Sequence, residues 1–291
     1  MTEQLIRANG VDLCAESFGD PGDPPILLIM GIGASMLWWD EAFCRRLAAG
    51  GRFVLRYDHR DTGRSTTFPP GNPGYRGAAL VTDAVAVLDG YGIPAAHLVG
   101  LSAGGGIAQH LALDHAERVR SLVLVSTSPA MSGGRALPPP TAAFRRFVAT
   151  AEVDWSNRES VVRYHVDYWR ALGGDRPFDE PACRDLVLRD VARARDIAAA
   201  QNHDLVAGDE GPHGALSSIS VPTLVIHGTA DPLFPFPHGL ALAEEIPTAR
   251  LLPLDGAGHG IDRADWNTVL PAIWSHTAPR AERTPSSERN R

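Results

Sequence analysis

The sequence predicts an α/β architecture in which a mostly parallel eight-stranded sheet is flanked by helices and interrupted by a helical cap. Three observations predict it. Short continuous apolar runs alternate with helix-length amphipathic stretches, as expected of strands buried on both faces. One such run leads directly into Gly100-Leu101-Ser102-Ala103-Gly104 and then into a helical pattern. The alternation stops between about residues 129 and 220, where helical spacing dominates.

Along the chain, Gln4–Ala8 and Val11–Phe18 flank the turn signal Asn9-Gly10 and are expected to pair as an antiparallel hairpin. The remaining strands are expected at 25–30, 53–57, 97–99, 122–125, 223–227 and 251–254. Residues 39–49 and 82–91 carry helical spacing of apolar residues. Within the cap, Ser156 followed by Glu159 reads as a capping box, and Val161, Tyr164, His165 and Tyr168 fall on one helical face. Ser132-Gly133-Gly134 and Pro138 to Pro140 mark the break that opens the cap. The domain organisation expected is therefore a core of 1–128 and 221–278, a cap of 129–220, and a disordered polar tail of 279–291.

Composition removes several functions. A hydrophobic content of 44% supports a large buried core, and a net charge of −7 gives no basic surface for nucleic acid or anionic lipid. All 27 basic residues are arginine, which excludes Schiff-base chemistry on lysine and a P-loop lysine. Cys14, Cys44 and Cys183 are too scattered for a disulfide framework or a paired-cysteine zinc site. No apolar run reaches the roughly 18 residues of a membrane span, and the start lacks a signal-peptide pattern. The expected setting is cytoplasmic, with a small-molecule substrate and with no nucleic-acid, membrane, metal or cofactor partner.

The chemistry centres on Ser102. A strand, a sharp turn and a helix around a serine flanked by glycines two residues either side resemble the nucleophile elbow of the α/β-hydrolase fold. Glycines are needed there because a strained turn leaves no room for side chains between strand and helix. Of eleven histidines, His259 is placed as the base, in the flexible loop Gly256-Ala257-Gly258-His259-Gly260 after the last strand. His59 is the nearest competitor but precedes the serine, and His227 is expected to be a packed strand-end residue. Asp231, stiffened by Pro232, is placed as the acid that orients the histidine. Ser126-Thr127-Ser128, where some hydrolases carry the acid, holds no carboxylate, and Asp255 lies so near His259 in sequence that loop capping explains it.

The oxyanion formed on attack needs two amide donors, assigned to Ala103 and Ile32. A dinucleotide fingerprint in the Gly31-Ile32-Gly33 loop is disfavoured because its third glycine position is Met36. Asp58 to Ser65 forms a conspicuous charged loop, expected to organise its own turn rather than to touch substrate. Gly31, Met36, Trp38, Trp155, Tyr164 and Tyr168 are the candidate lining of an apolar pocket suited to a bulky, flat ligand, with Trp39 and Trp169 nearby.

Taken together, the elbow, the Met30-Gly31 loop, the run from Arg56 to Ser65 and Ala112-Leu113-Asp114-His115 resemble the aclacinomycin methylesterase family. The similarity covers most of the first 120 residues and returns through Val221 to Ile226, Asp231-Pro232 and Gly258-His259. The resemblance implies an esterase that removes the methyl group from a methyl ester on an anthracycline polyketide, using Ser102, Asp231 and His259. The alternatives are a broad carboxylesterase, a lactonase or a perhydrolase-like enzyme of the same fold. A fold-sharing protein that binds a ligand without turnover is the reading from another class.

Overall fold

The computed structural model describes residues 3–130, 135–206 and 214–278. The expected tail from 279 and the Ser132-Gly133-Gly134 turn lie outside these residues. The strands are β1 (Gln4–Ala8), β2 (Val11–Phe18), β3 (Pro25–Ile29), β4 (Phe53–Tyr57), β5 (Ala96–Leu101), β6 (Val119–Val125), β7 (Thr223–Gly228) and β8 (Ala249–Leu254). They form one sheet in the order β1-β2-β4-β3-β5-β6-β7-β8, antiparallel in the first two pairings and parallel thereafter. The hairpin turns where expected, with Asn9 and Gly10 both at positive φ, the geometry whose twist matches the flanking strands.

Alternate residues of each central strand feed two separate cores. Leu27, Ile29, Leu98, Leu122 and Leu124 face one side, under α2 (Ala78–Gly90) and α3 (Ala103–Asp114). Ile26, Leu28, Val99, Val123 and Ile226 face the other, under α1 (Glu41–Ala49) and the C-terminal α9 (Trp266–His276). Burial on both faces is why these strands read as unbroken apolar runs, each large side chain contributing about 1.5–3 kcal/mol. Pairing lengthens β5 and β6 beyond the apolar runs, because Ala96 still pairs with Val119. The first helix starts later than its periodicity, since the Asp40 side chain caps it by accepting the Ala42 N–H at 2.7 Å.

Between β6 and β7 lie α4 (Ala142–Thr150), α5 (Arg158–Leu172), α6 (Glu180–Arg193) and the short α7 (Asn202–Leu205), with α8 (Pro237–Glu245) following β7. The start of α5 corrects one expectation: the cap is Asn157, whose side-chain oxygen accepts from Glu159 and Ser160, while the Ser156 hydroxyl is donated to Asp154. The insert has a small core of its own, Val162, Val166 and Val187. Its attachments to the sheet body are specific. Trp38 stacks on Trp169 at 3.8 Å between centroids and donates its indole N–H to Asp190, and Thr141 N–H bonds the Pro232 carbonyl. Arg193 pairs with Asp58 at 2.7 Å, and Arg195 N–H bonds the Gly63 carbonyl. Within the described residues, no helix is long and apolar enough to cross a membrane.

The charged loop after β4 behaves as a structural hub. Asp58 accepts the amides of Met36 and Arg64 and is ion-paired with the Arg193 guanidinium, and burial pushes its carboxyl up to about 6 against the pull of these partners. Asp61, at positive φ, accepts from Tyr75 and Asn202. Arg60 makes a buried two-pronged bond to Asp83 of α2, both contacts at 2.7 Å. Asp83→Ala would strand that guanidinium, with an expected loss of about 3–5 kcal/mol in urea unfolding. A loss under about 1 kcal/mol, the scale of an exposed pair, would contradict this account.

Candidate active site

Between the end of β5 and the start of α3 the chain has one residue in which to reverse direction. That residue is Ser102, at φ 55° and ψ −123°. A non-glycine backbone here costs on the order of 1–3 kcal/mol and persists only if its neighbours enforce it. They do so through both of its backbone groups: the Ser102 N–H donates to Val125 and its carbonyl accepts the Thr127 hydroxyl at 2.7 Å. The flanking glycines are a matter of space. A Cβ on Gly100 would stand 2.3 Å from the Gly104 carbonyl oxygen, and one on Gly104 would stand 2.2 Å from that of Ile29. The turn leaves Ser102 9% exposed at the carboxyl edge of the sheet.

Asp231 follows β7 by three residues, and each carboxylate oxygen has a separate task. Oδ1 accepts the Leu233 and Phe234 amides at 2.9 Å, fixing the loop, while Oδ2 accepts Nδ1–H of His259 at 2.9 Å. Burial pushes the Asp231 carboxyl up, but the facing His259, then His227 and the Phe234 amide, outweigh it and leave it below the ordinary range. An ionised carboxylate on Nδ1 leaves Nε2 of His259 as the nitrogen free to accept a proton. His227, at the end of β7, is buried as expected. Its Nε2–H donates to the Phe234 carbonyl at 2.7 Å, and the same nitrogen lies 3.6 Å from Asp231.

The histidine loop is held from two sides. His259 N–H donates to the Leu172 carbonyl at the end of α5, and Gly260 N–H donates to the Ser126 hydroxyl at 3.0 Å. A Cβ on Gly260 would lie 3.9 Å from the Leu101 side chain, so this loop and the serine turn meet. Among the described residues no hydrogen bond joins Ser102 Oγ to His259 Nε2. In uncomplexed hydrolases this bond is often long and tightens with substrate.

The loop after β3 completes the edge. A Cβ on Gly31 would come within 3.2 Å of the Ser102 side chain, so a larger residue here would crowd the serine. Within the described residues, neither the Ile32 nor the Ala103 N–H donates a hydrogen bond to protein. His59, the competing histidine, is committed elsewhere: its Nε2–H donates to the Met30 carbonyl at 2.9 Å. Asp255 is exposed and, at 3.4 Å, accepts from Thr229 rather than from His259.

Of the candidate pocket residues, Met36 is corrected. It sits fully buried in a short 3-10 turn with its N–H on Asp58, because that turn rotates it beneath the loop. Trp38 is half-buried and engaged by the Trp169 stack. Trp155, Tyr164 and Tyr168 are half-buried in one aromatic group with Phe144 and Phe147, ring centroids about 6 Å apart.

The sequence pattern of the alpha/beta hydrolase fold matches residues 24–261. The chain belongs to the alpha/beta hydrolase fold family. Within it, a rhodomycin D methylesterase from a Streptomyces species is 35% identical to this chain, spanning 95% of it and 98% of that protein. A putative carbamate hydrolase of Variovorax paradoxus is 32% identical over 86% of this chain and 90% of its own. Among solved structures, a 2-hydroxy-6-oxo-6-phenylhexa-2,4-dienoate hydrolase from a Rhodococcus species superposes with a TM-score of 0.74 at 22% identity, covering 94% of this chain and 98% of that one. That last likeness is one of fold. The resemblance seen in the Arg56 to Ser65 run and around the elbow thus extends over nearly the whole chain.

Sequence reasoning passed over two residues that build this family member's edge. Ser126 and Thr127 stood out only for lacking a carboxylate, yet their hydroxyls hold the histidine loop and the serine turn. Their position directly after a buried parallel strand was the available signal. Gly104→Ala is expected to lose about 1–3 kcal/mol through overpacking. Gly106→Ala, on the same helix with open space around its Cβ, is expected to gain about 0.5–1 kcal/mol. Thermal unfolding of the two variants checks both signs, and equal melting temperatures would refute the close-approach argument.

Proposed function

We propose that this chain is a serine ester hydrolase, a methylesterase acting on a bulky aromatic polyketide methyl ester of the anthracycline kind. One observation carries the chemistry: a serine held in a strained turn shares a sheet edge with a histidine whose Nδ1 is already bonded to a carboxylate. Ser102 Oγ attacks the ester carbonyl and its proton passes to Nε2 of His259. Asp231 keeps the ring in the tautomer that can accept and stabilises the imidazolium. The negative oxygen of the tetrahedral intermediate is met by the amides of Ala103 and Ile32, aided by the positive end of α3. His259 then protonates the departing methoxide, releasing methanol. Water, deprotonated by the same nitrogen, cleaves the acyl-enzyme to give the free acid, and His259 returns that proton to the departing Ser102 oxygen.

The substrate class is supported by the rhodomycin D methylesterases, similar over 95% of the chain, and by the aromatic group around Tyr164 and Tyr168. We take residues 129–220 as the cap that shapes this pocket, with Gly31, Trp38, Trp155, Tyr164 and Tyr168 as its lining. The cytoplasmic setting is supported by Cys14, Cys44 and Cys183 all being free of disulfides.

Methanol release from rhodomycin D, set beside hydrolysis of p-nitrophenyl acetate, tests the reading. Ser102→Ala is expected to lower kcat about a millionfold on both, and Asp231→Asn about ten-thousandfold. A wild type no faster than Ser102→Ala would end the enzymatic reading. A higher kcat/KM on the acetate than on the polycyclic ester would end the methylesterase assignment.

A further inference from the structure

The loop from Met30 to Met36, which carries the proposed Ile32 donor, is poorly suited to holding one shape by itself. It contains two glycines, one of them Gly33 at φ 72°, and the Ile32 side chain is 42% exposed and anchors nothing. Its ends are tied by His59 at the Met30 carbonyl and by Asp58 at the Met36 amide. Ala34 packs into the core beneath, and among the described residues the hydrogen bond that holds the Gly31–Gly33 stretch comes from His203 of α7, whose Nδ1 accepts the Gly33 N–H at 2.9 Å.

His203 can do this in only one protonation state. Its Nε2 lies 2.8 Å from the Arg60 carbonyl oxygen. An amide N–H only donates and a carbonyl only accepts, so the ring is neutral with its proton on Nε2. The ring is 4% exposed, and burial pushes its pKa down to about 3, so this state holds across the working range. It stands edge-on to His59, and the preceding residue fixes its base: Asn202 donates to Asp61 and accepts the Gly71 N–H.

We propose that His203 is a positioning residue for the ester hydrolysis proposed above: by fixing the Gly33 amide it orients the adjoining Gly31–Ile32 peptide, so that the Ile32 N–H is aimed before the oxyanion forms. An insert residue thereby preorganises a donor in the core, and turnover depends on α7 being seated. Because the donor meets charge only as the transition state develops, the effect belongs to kcat rather than to KM. The inference rests on the serine-esterase reading, and the test separates the two.

In His203→Asn the side-chain oxygen can take the place of Nδ1 toward Gly33; in His203→Gln the longer side chain reaches the Nε2 position and leaves Gly33 unbonded. With p-nitrophenyl acetate, His203→Gln is expected to lower kcat by about tenfold to a hundredfold, approaching the loss of a full donor. KM should stay within about twofold of wild type, and His203→Asn should recover most of the lost kcat. Ser102→Ala marks the floor: a wild type at that floor defeats the esterase reading. If wild type stands far above it, a kcat unchanged in His203→Gln, or lost equally in both variants, defeats this proposal. Nitrogen-15 spectra of the wild-type ring provide a check that does not depend on variant folding. A bare Nδ1 coupled to the Gly33 amide is expected, and a protonated Nδ1 would overturn the assignment.

Discussion

A parallel strand and the helix that follows it are separated in this chain by a single residue, and that residue is not glycine. Placing Ser102 at φ 55° forces β5 and α3 so close together that Gly100 and Gly104 have no room for a Cβ. The strain is tolerated because both backbone groups of the serine are bound to the end of β6 and the residues after it. The parallel sheet is therefore the frame that makes a high-energy turn persist. Its other loops are then within reach of whatever the turn displays.

The polar contacts at the carboxyl edge divide into two kinds. Some set the chemistry that we assign to the site, as the Asp231 carboxylate does in choosing the His259 tautomer. Others set geometry only, and these bond the backbone at or within a few residues of the proposed catalytic groups: Ser126 under Gly260, Thr127 on the Ser102 carbonyl, Asp58 on Met36. A buried carboxylate such as Asp58, shared by two amides and a guanidinium, joins strand, loop and insert at one point. Gly63 is required there because its Cβ would fall 2.3 Å from both Arg193 and Asp58.

Much of this was legible in the residues. Continuous apolar runs identify strands buried on two faces, and a serine among glycines between a run and a helix identifies the turn. Chain order and position in loops after the last two strands single out Asp231 and His259 among many acids and eleven histidines, and the two are joined by a 2.9 Å hydrogen bond. The charged loop was correctly read as organising itself. What could not be read were contacts made across long stretches of sequence. Arg193 reaches Asp58 and His203 reaches Gly33 across an insert whose course depends on packing, not on local pattern. Met36 failed for a related reason: nearness to Gly31 in sequence suggests a shared surface, but one 3-10 turn carries the side chain into the core.

The insert's own core amounts to three valines and their partly covered neighbours, and its grip on the body comes from an indole stack and from polar contacts spread along its length, from Thr141 through Leu172, Arg176 and Asp190 to Arg193 and His203. Apolar area is what makes large units unfold together, and here it is concentrated under the two faces of the sheet. With so little apolar area of its own, the insert is the part expected to open first in a sub-global fluctuation, ahead of the sheet. Amide protons of α5 and α6 would then exchange with solvent well before those of β5 and β6.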